Sequence, residues 1–305
     1  MLNDPHAAAT RGALAAGVSF LLWGLWPLYW HSLRSVSSIE LIAHRILWSL
    51  LLLLLIAALQ GGSGELRAVA GRRALIGYGL TCGLLLAVNW TIYVWAVNNQ
   101  HIIDSSLGYF LTPLCNVALG FALLHERLRL SQWIAVSLAA GGCLVLLFQV
   151  GHLPWIALSL TATWSTYGIL KKRSALDPVP GLLLETMLLS PLAAAVLLWQ
   201  IHAHASVFNQ GSARLDALAL ASGVLTTAPL LLFAYGARRI RLATLGLLQY
   251  IAPSVQFALG LWLYREPMDK AQLHACLLIW CGLILYSADS FQAQRSRIRT
   301  ATGPA

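Results

Sequence analysis

Side chains that can carry charge stand inside apolar runs, among them His44 and Arg45 in one and Glu185 in another. Ionisable groups are costly in hydrocarbon, and where they persist they mark solute or proton pathways, or pair with one another. Arg45 lies about five residues below one end of its run, and Glu185 about four below the opposite end of its own. Counted by helical rise, the two are roughly 15 Å apart along the membrane normal, too far for an ion pair. Each then reads as a gate at its own end, or Arg45 as the partner of an anionic group on a solute. The alternative is a snorkelling arginine and a capping glutamate.

Two prolines suggest where such a solute would rest. Pro113 lies about 13 Å into its run and Pro253 about 15 Å into its own, at 1.5 Å per residue. Entering from opposite faces, both reach the middle of an apolar layer about 30 Å thick. Each proline removes one backbone bond and frees the carbonyl four residues earlier, here that of Tyr109 and of Gln249. Broken helices at matching depth point to a transporter's binding site, although a plain kink would look the same in sequence. Tyr109, Asn116, Gln249, Tyr250 and Gln256 flank the prolines and could offer hydrogen bonds and ring faces. Asn89, Trp90 and Tyr93 lie deep in a third run, with Thr226, Thr227 and Pro229 near the matching depth of a fourth. These polar groups serve a solute or join neighbouring helices. Trp23, Trp26, Trp164 and Tyr167 could wall an aromatic pocket, Trp26 alternatively standing in an interfacial belt.

Other chemistry is poorly supplied. Asp104 and Ser105, and Ser131, read as helix caps. Glu126 and Glu266, at run ends, read as fixing loop geometry. His202-x-His204 has no Cys or carboxylate partner for a metal, and the five cysteines form no C-x-x-C pair. Gly79-x-x-x-Gly83 reads as close helix packing. There is no phosphate loop and no Ser-His-Asp pattern, so no cofactor and no catalytic set is expected.

The elements that position these residues follow from composition. Of 305 residues 58% are hydrophobic and 10% charged, whereas a water-facing surface needs about 25% charged residues. Ten apolar runs of spanning length are expected, at 12–31, 40–59, 74–97, 104–124, 131–149, 152–172, 181–201, 215–237, 243–264 and 271–290. The first is too long for a signal peptide and reads as an uncleaved helix. Basic residues crowd one side: with the N-terminus inside, fifteen of the twenty Lys and Arg fall in inner segments and four in outer loops. Both termini are therefore expected in the cytoplasm. The net charge of +9 is a topology signal, not a nucleic-acid footprint.

A shift of 140 residues superimposes the end of one half on the end of the other. Pro113 meets Pro253, Glu126 meets Glu266, Gln132 meets Gln272 and Gly142 meets Gly282, ten identities in the forty positions from 109. The expected fold is all-α and integral to the membrane, ten transmembrane helices in two five-helix repeats, 12–149 and 152–290, with a basic tail at 291–305. Five is odd, so the second repeat enters from the opposite face, an inverted topology that suits a carrier opening to either side.

Trp23-Gly24, residues 93–99 (Tyr-Val-Trp-Ala-Val-Asn-Asn), 106–114 (Ser-Leu-Gly-Tyr-Phe-Leu-Thr-Pro-Leu) and His125-Glu126-Arg127 carry a family resemblance. So do His44-Arg45, Leu184-Glu185-Thr186-Met187, residues 226–230 and residues 248–253. In this order they resemble the drug/metabolite transporter superfamily, within it the EamA-type RarD subfamily. The resemblance implies a ten-helix secondary transporter of the inner membrane that moves, by export, a small organic metabolite or amphiphilic compound. A non-transporting sensor or scaffold is the alternative. A membrane-embedded enzyme would need an interfacial cluster of His or carboxylates, which the short loops do not provide.

Overall fold

The computed structural model describes residues 5–33, 36–60, 73–99, 101–150, 153–203, 206, 208, 212–263 and 270–301. These form helices α1 (Pro5–His31), α2 (Ser38–Leu59), α3 (Arg73–Asn98), α4 (Ile102–Leu124), α5 (Leu130–Val150) and α6 (Trp155–Lys172). There follow α7 (Pro178–His202), α8 (Ala213–Ala237), α9 (Leu242–Leu248), α10 (Ile251–Trp262) and α11 (Lys270–Ala301). Among the described residues there is no strand, as expected where a bilayer offers backbone groups no water. Seven of these helices are long and apolar enough to cross a membrane: α1 to α5, α7 and α8.

The others fall short for local reasons. Helix α6 carries Ser159, Thr161, Thr163, Ser165 and Thr166 and packs among other helices. Helices α9 and α10 are the expected run 243–264 broken at Gln249–Tyr250, four residues before Pro253, where the frayed turn is rejoined by shorter bonds such as Ala252 N–H to Gln249 O (3.2 Å). Helix α4 runs on through Pro113 unbroken. Side chains donate to the carbonyls on either side of the one that Pro113 frees: Thr112 and Thr161 to Gly108 O, and Tyr250 to Phe110 O. The stretch 291–301, expected as tail, continues α11.

Two expected caps are corrected. Helix α4 starts at Ile102, with His101 at its N-cap, so Asp104 and Ser105 lie inside its first turn. Helix α5 starts before Ser131, whose hydroxyl instead donates to Asp289 on α11, while Gln132 accepts the Arg129 N–H.

The packing is reciprocal. Helix α5 lies along α11, α2 along α7, and α4 along α9; α1 packs on α8 and α10, and α6 on α3 and α4. A Cβ added at Gly142 on α5 would come within 2.7 Å of Ala275 O on α11, and one at Gly282 on α11 within 2.5 Å of Ala135 O on α5. Gly79 and Gly83 likewise admit Leu184 and Leu189 of α7 against α3, the close packing their spacing suggests. A buried cluster including Phe20, Leu53, Leu86, Tyr167, Leu183, Phe233 and Leu245 fills the centre.

Helix ends are tied in two groups. At the end where α1 begins, Glu126 accepts the Leu242 and Ala243 N–H groups (2.7 and 3.1 Å), which fixes the loop geometry expected of it and caps α9. Lys172 and Arg173 reach Ile240 O and Leu123 O, and Arg238 pairs with Asp177. At the opposite end Tyr29 donates to Leu218 O, and Glu40 accepts from Ser206. Glu266 and His204 lie outside the described residues.

Candidate functional site

Arg45, in the first half of α2, is 4% exposed. Its guanidinium carbon stands 4.5 Å from the Trp26 ring centre and 4.1 Å from that of Trp90, and its Nε donates to Thr226 Oγ1 at 2.8 Å. Two indole faces replace part of the lost hydration, each worth about 2 kcal/mol where water is excluded. Only a planar guanidinium can be stacked and hydrogen-bonded edge-on in this way. Trp26 thus presents a ring face to the Arg45 cation.

Tyr29, Tyr93 and Tyr109 lie within electrostatic reach of the same cation. Tyr93 and Tyr109 meet edge to face at 5.7 Å, and Tyr109 keeps 36% of its surface exposed despite these interior neighbours. Next to them Trp23 and Trp164 meet at 5.1 Å, and Trp164 contacts Phe233 and Tyr167 at 5.3 and 5.6 Å. These rings come from α1, α6 and α8. Trp164 Nε1 and Ser165 Oγ are buried with no hydrogen-bond partner among the described residues. Unpaired buried donors cost about 1–3 kcal/mol each and gather at functional sites. Asn89 Nδ2 donates to Leu160 O and Thr163 Oγ1 of α6.

Glu185 is 1% exposed. It forms an ion pair with Lys171 Nζ and accepts a hydrogen bond from Tyr167 OH at 3.3 Å. A buried carboxylate survives only with such partners. Glu185 and Arg45 nevertheless border one small cavity, since their long side chains close part of the separation that backbone rise alone gives. Its free volume is about 20 Å³, room for one water molecule. The lining pairs off at the repeat spacing: Arg45 with Glu185, Ile46 with Thr186, Ser49 with Leu189, Leu86 with Thr226 and Trp90 with Leu230.

The remaining residues sit in two other places. Asn116 Nδ2 donates to Gln249 Oε1 at 3.2 Å, Tyr250 OH bonds Phe110 O at 3.0 Å, and Gly246 rests on Pro113 O. Pro113, Asn116, Gln249, Tyr250 and Pro253 are all buried, a seam joining α4 to α9 and α10. Within it Asn116 Oδ1 has no partner among the described residues. Gln256 bonds Trp23 O on α1. His44 faces the other way, accepting from Trp48 Nε1 and lying 3.9 Å from Glu40 and against the Phe208 ring.

Sequence reasoning missed Lys171 and Glu40. Lys171 hides in the triplet Lys171-Lys172-Arg173, which reads as an inner loop. Glu40 stands four residues before His44, a helical spacing that could have revealed it. Among the described residues no three His, Cys, Asp or Glu gather as metal ligands.

Comparison with known proteins fits these features. The model of the EamA-like transporter family matches residues 10–148 and again 154–288. The chain is 37% identical to the "Uncharacterized transporter YojE" of Bacillus subtilis, over 95% of this chain and 98% of that one. It is 36% identical to "Protein RarD" of Escherichia coli, over 93% and 96%. A solved crystal structure, 22% identical, shares the fold with a TM-score of 0.69 over 90% of this chain and 96% of its own. The chain belongs to the EamA-like transporter family and is a multi-pass membrane transporter with relatives named RarD.

Proposed function

We propose that the protein is a secondary carrier that moves a small organic solute by alternating access, built from ten crossings in two inverted halves. The crossings are the nine helices other than α9 and α10, with the broken pair α9–α10 counted as one. The observation that carries this reading is the cavity whose walls pair off at a spacing of 140 residues, Arg45 opposite Glu185. Positions related by an inverted repeat meet near the axis that relates the halves, and the paired lining of the cavity supports an axis there. The reciprocal contacts of Gly142 and Gly282 support the same relation, as do the two separate matches of one family model.

The solute binds beside Arg45, among Trp26, Trp90, Tyr93 and Tyr109, with Trp23 and Trp164 as a further aromatic wall. This lining suits a solute that joins an anionic group to an apolar or aromatic body. The seam of Pro113, Asn116, Gln249, Tyr250 and Pro253 acts as the pivot where the halves rock. Both termini lie in the cytoplasm, in accord with the bias of basic residues, and export follows the family resemblance. The site is cytoplasmic-membrane, as the bacterial relatives suggest.

Metabolite profiling of cells with and without the protein, followed by counterflow of the hits in proteoliposomes, tests this. Exchange of a labelled solute that Arg45→Lys abolishes is the expected result. A scaffold exchanges nothing, whatever is offered, and an odd number of crossings in a labelling map would end the inverted-repeat reading.

A further inference from the structure

Resting on the carrier reading above, we propose that Glu185 is a proton-binding site that couples solute movement to a proton gradient, with Lys171 as its exchangeable charge partner. Three placements lead there. Glu185 is buried to 1% and its ion pair reaches across from α7 to Lys171, the penultimate residue of α6, itself 3% exposed as a side chain. The pair thus clasps two helices close to the end where Glu126, Arg173 and Arg238 tie the loops. On its other side Glu185 borders the small cavity it shares with Arg45, whose volume admits one water. A carboxylate placed between a helix end and an axial water site can exchange protons with either face as the halves rock.

The charged and titratable groups facing Glu185 are few. Helix α6 gives Lys171 and Tyr167, α3 gives Tyr78 and Cys82, and α2 gives Arg45 across the cavity. Helix α8 contributes Thr226 and Leu230, neither of which titrates. When a hydronium ion donates to Glu185, an O–H bond forms on the carboxyl, water is released, and the carboxylate charge is cancelled. Lys171 stays an ammonium and loses its counter-ion. An unpaired ammonium is expensive in an apolar site. One residue from the helix end, it escapes to water by parting α6 from α7. Loss of the proton to the opposite face restores the clasp.

Nitroxides at Arg127→Cys and Ala175→Cys, in a Cys281→Ala background in nanodiscs, report that end by pulsed EPR distances. Wild type is expected to show a short and a long distance, the long one gaining on acidification by up to tenfold per pH unit for a single proton. Glu185→Gln is expected to give mainly the long distance at every pH. Glu185→Asp, which keeps the charge, should retain the response with a displaced midpoint, and it serves if the glutamine variant does not fold. Two distances whose ratio ignores pH, a glutamine variant that titrates like wild type, or a midpoint shared by Glu and Asp would each overturn the proton site while leaving alternation intact. A single distance in every sample would refute the alternating reading itself.

Discussion

Gly141 and Gly142 are adjacent in α5, yet alanine should act on them with opposite sign. A Cβ at Gly141 meets nothing within 4 Å. One at Gly142 would stand 2.7 Å from Ala275 O and 2.9 Å from Ile279 Cγ1 of α11. Ordinary contact begins near 3.4 Å, so α5 and α11 would have to part by about 0.7 Å. A gap of that size forfeits a quarter to a half of the dispersion energy along the seam, and overfilling of this kind costs about 1–3 kcal/mol. Alanine also gains about 1 kcal/mol over glycine in a helix, and it gains it at both positions. Gly141→Ala should therefore stabilise by up to about 1 kcal/mol and Gly142→Ala should lie below it by about 1–3 kcal/mol. The propensity term cancels in the comparison, which leaves the contact alone. Reversible unfolding by sodium dodecyl sulfate in mixed micelles, followed by circular dichroism, gives both values. If Gly142→Ala is as stable as Gly141→Ala, the close approach of α5 and α11 does not exist.

Glu126→Ala removes two charge-assisted bonds from the start of α9, so it should cost about 1–2 kcal/mol in the same unfolding assay, with Glu126→Gln intermediate. An alanine variant as stable as wild type would deny the cap. His125 ends α4 with φ at 52°, a left-handed conformation that glycine adopts freely. His125→Gly should therefore raise stability by about 1 kcal/mol, and a drop would show that the imidazole makes a contact worth more than the strain. Trp90→Leu removes one face of the Arg45 stack, worth about 1–2 kcal/mol, and should weaken the half-saturating solute concentration in counterflow by about tenfold. An unchanged value would move the solute away from Arg45.

Much of the fold was legible because a bilayer makes sequence patterns severe. Apolar length is set by solvation, and seven of the expected runs reappear among the described residues as helices long and apolar enough to span. Helix ends were less legible. Asp104 was expected to cap α4, but the helix extends two residues farther back, a detail decided by contacts of His101 and Ala96 rather than by local propensity. The two prolines look alike in sequence, yet only Pro253 accompanies a break. Thr161 and Tyr250, donors distant in sequence, bond the carbonyls on either side of Tyr109 in α4, and nothing near Pro113 announces them. The partners of Glu185 were hidden for a related reason: Lys171 bends inward from a basic triplet whose charge alone suggests an inner loop.

The two halves keep some equivalent residues and exchange others, and the difference has a physical sense. Proline at 113 and 253 and glycine at 142 and 282 shape backbone paths and helix contacts, properties that either half needs in either orientation. Arg45 and Glu185 occupy equivalent positions with opposite charge. A carrier with identical halves would hold its two end states at equal energy, since each is the image of the other. Opposite charges at one equivalent position remove that degeneracy, because exchanging the halves would exchange an arginine between indoles for a carboxylate beside a lysine. On the proposed mechanism the energies of the two states would then depend on whatever alters those charges, an anion at Arg45 or a proton at Glu185. In the carrier proposed here, backbone symmetry would make both states available, and the unequal charges would make the choice between them responsive to cargo.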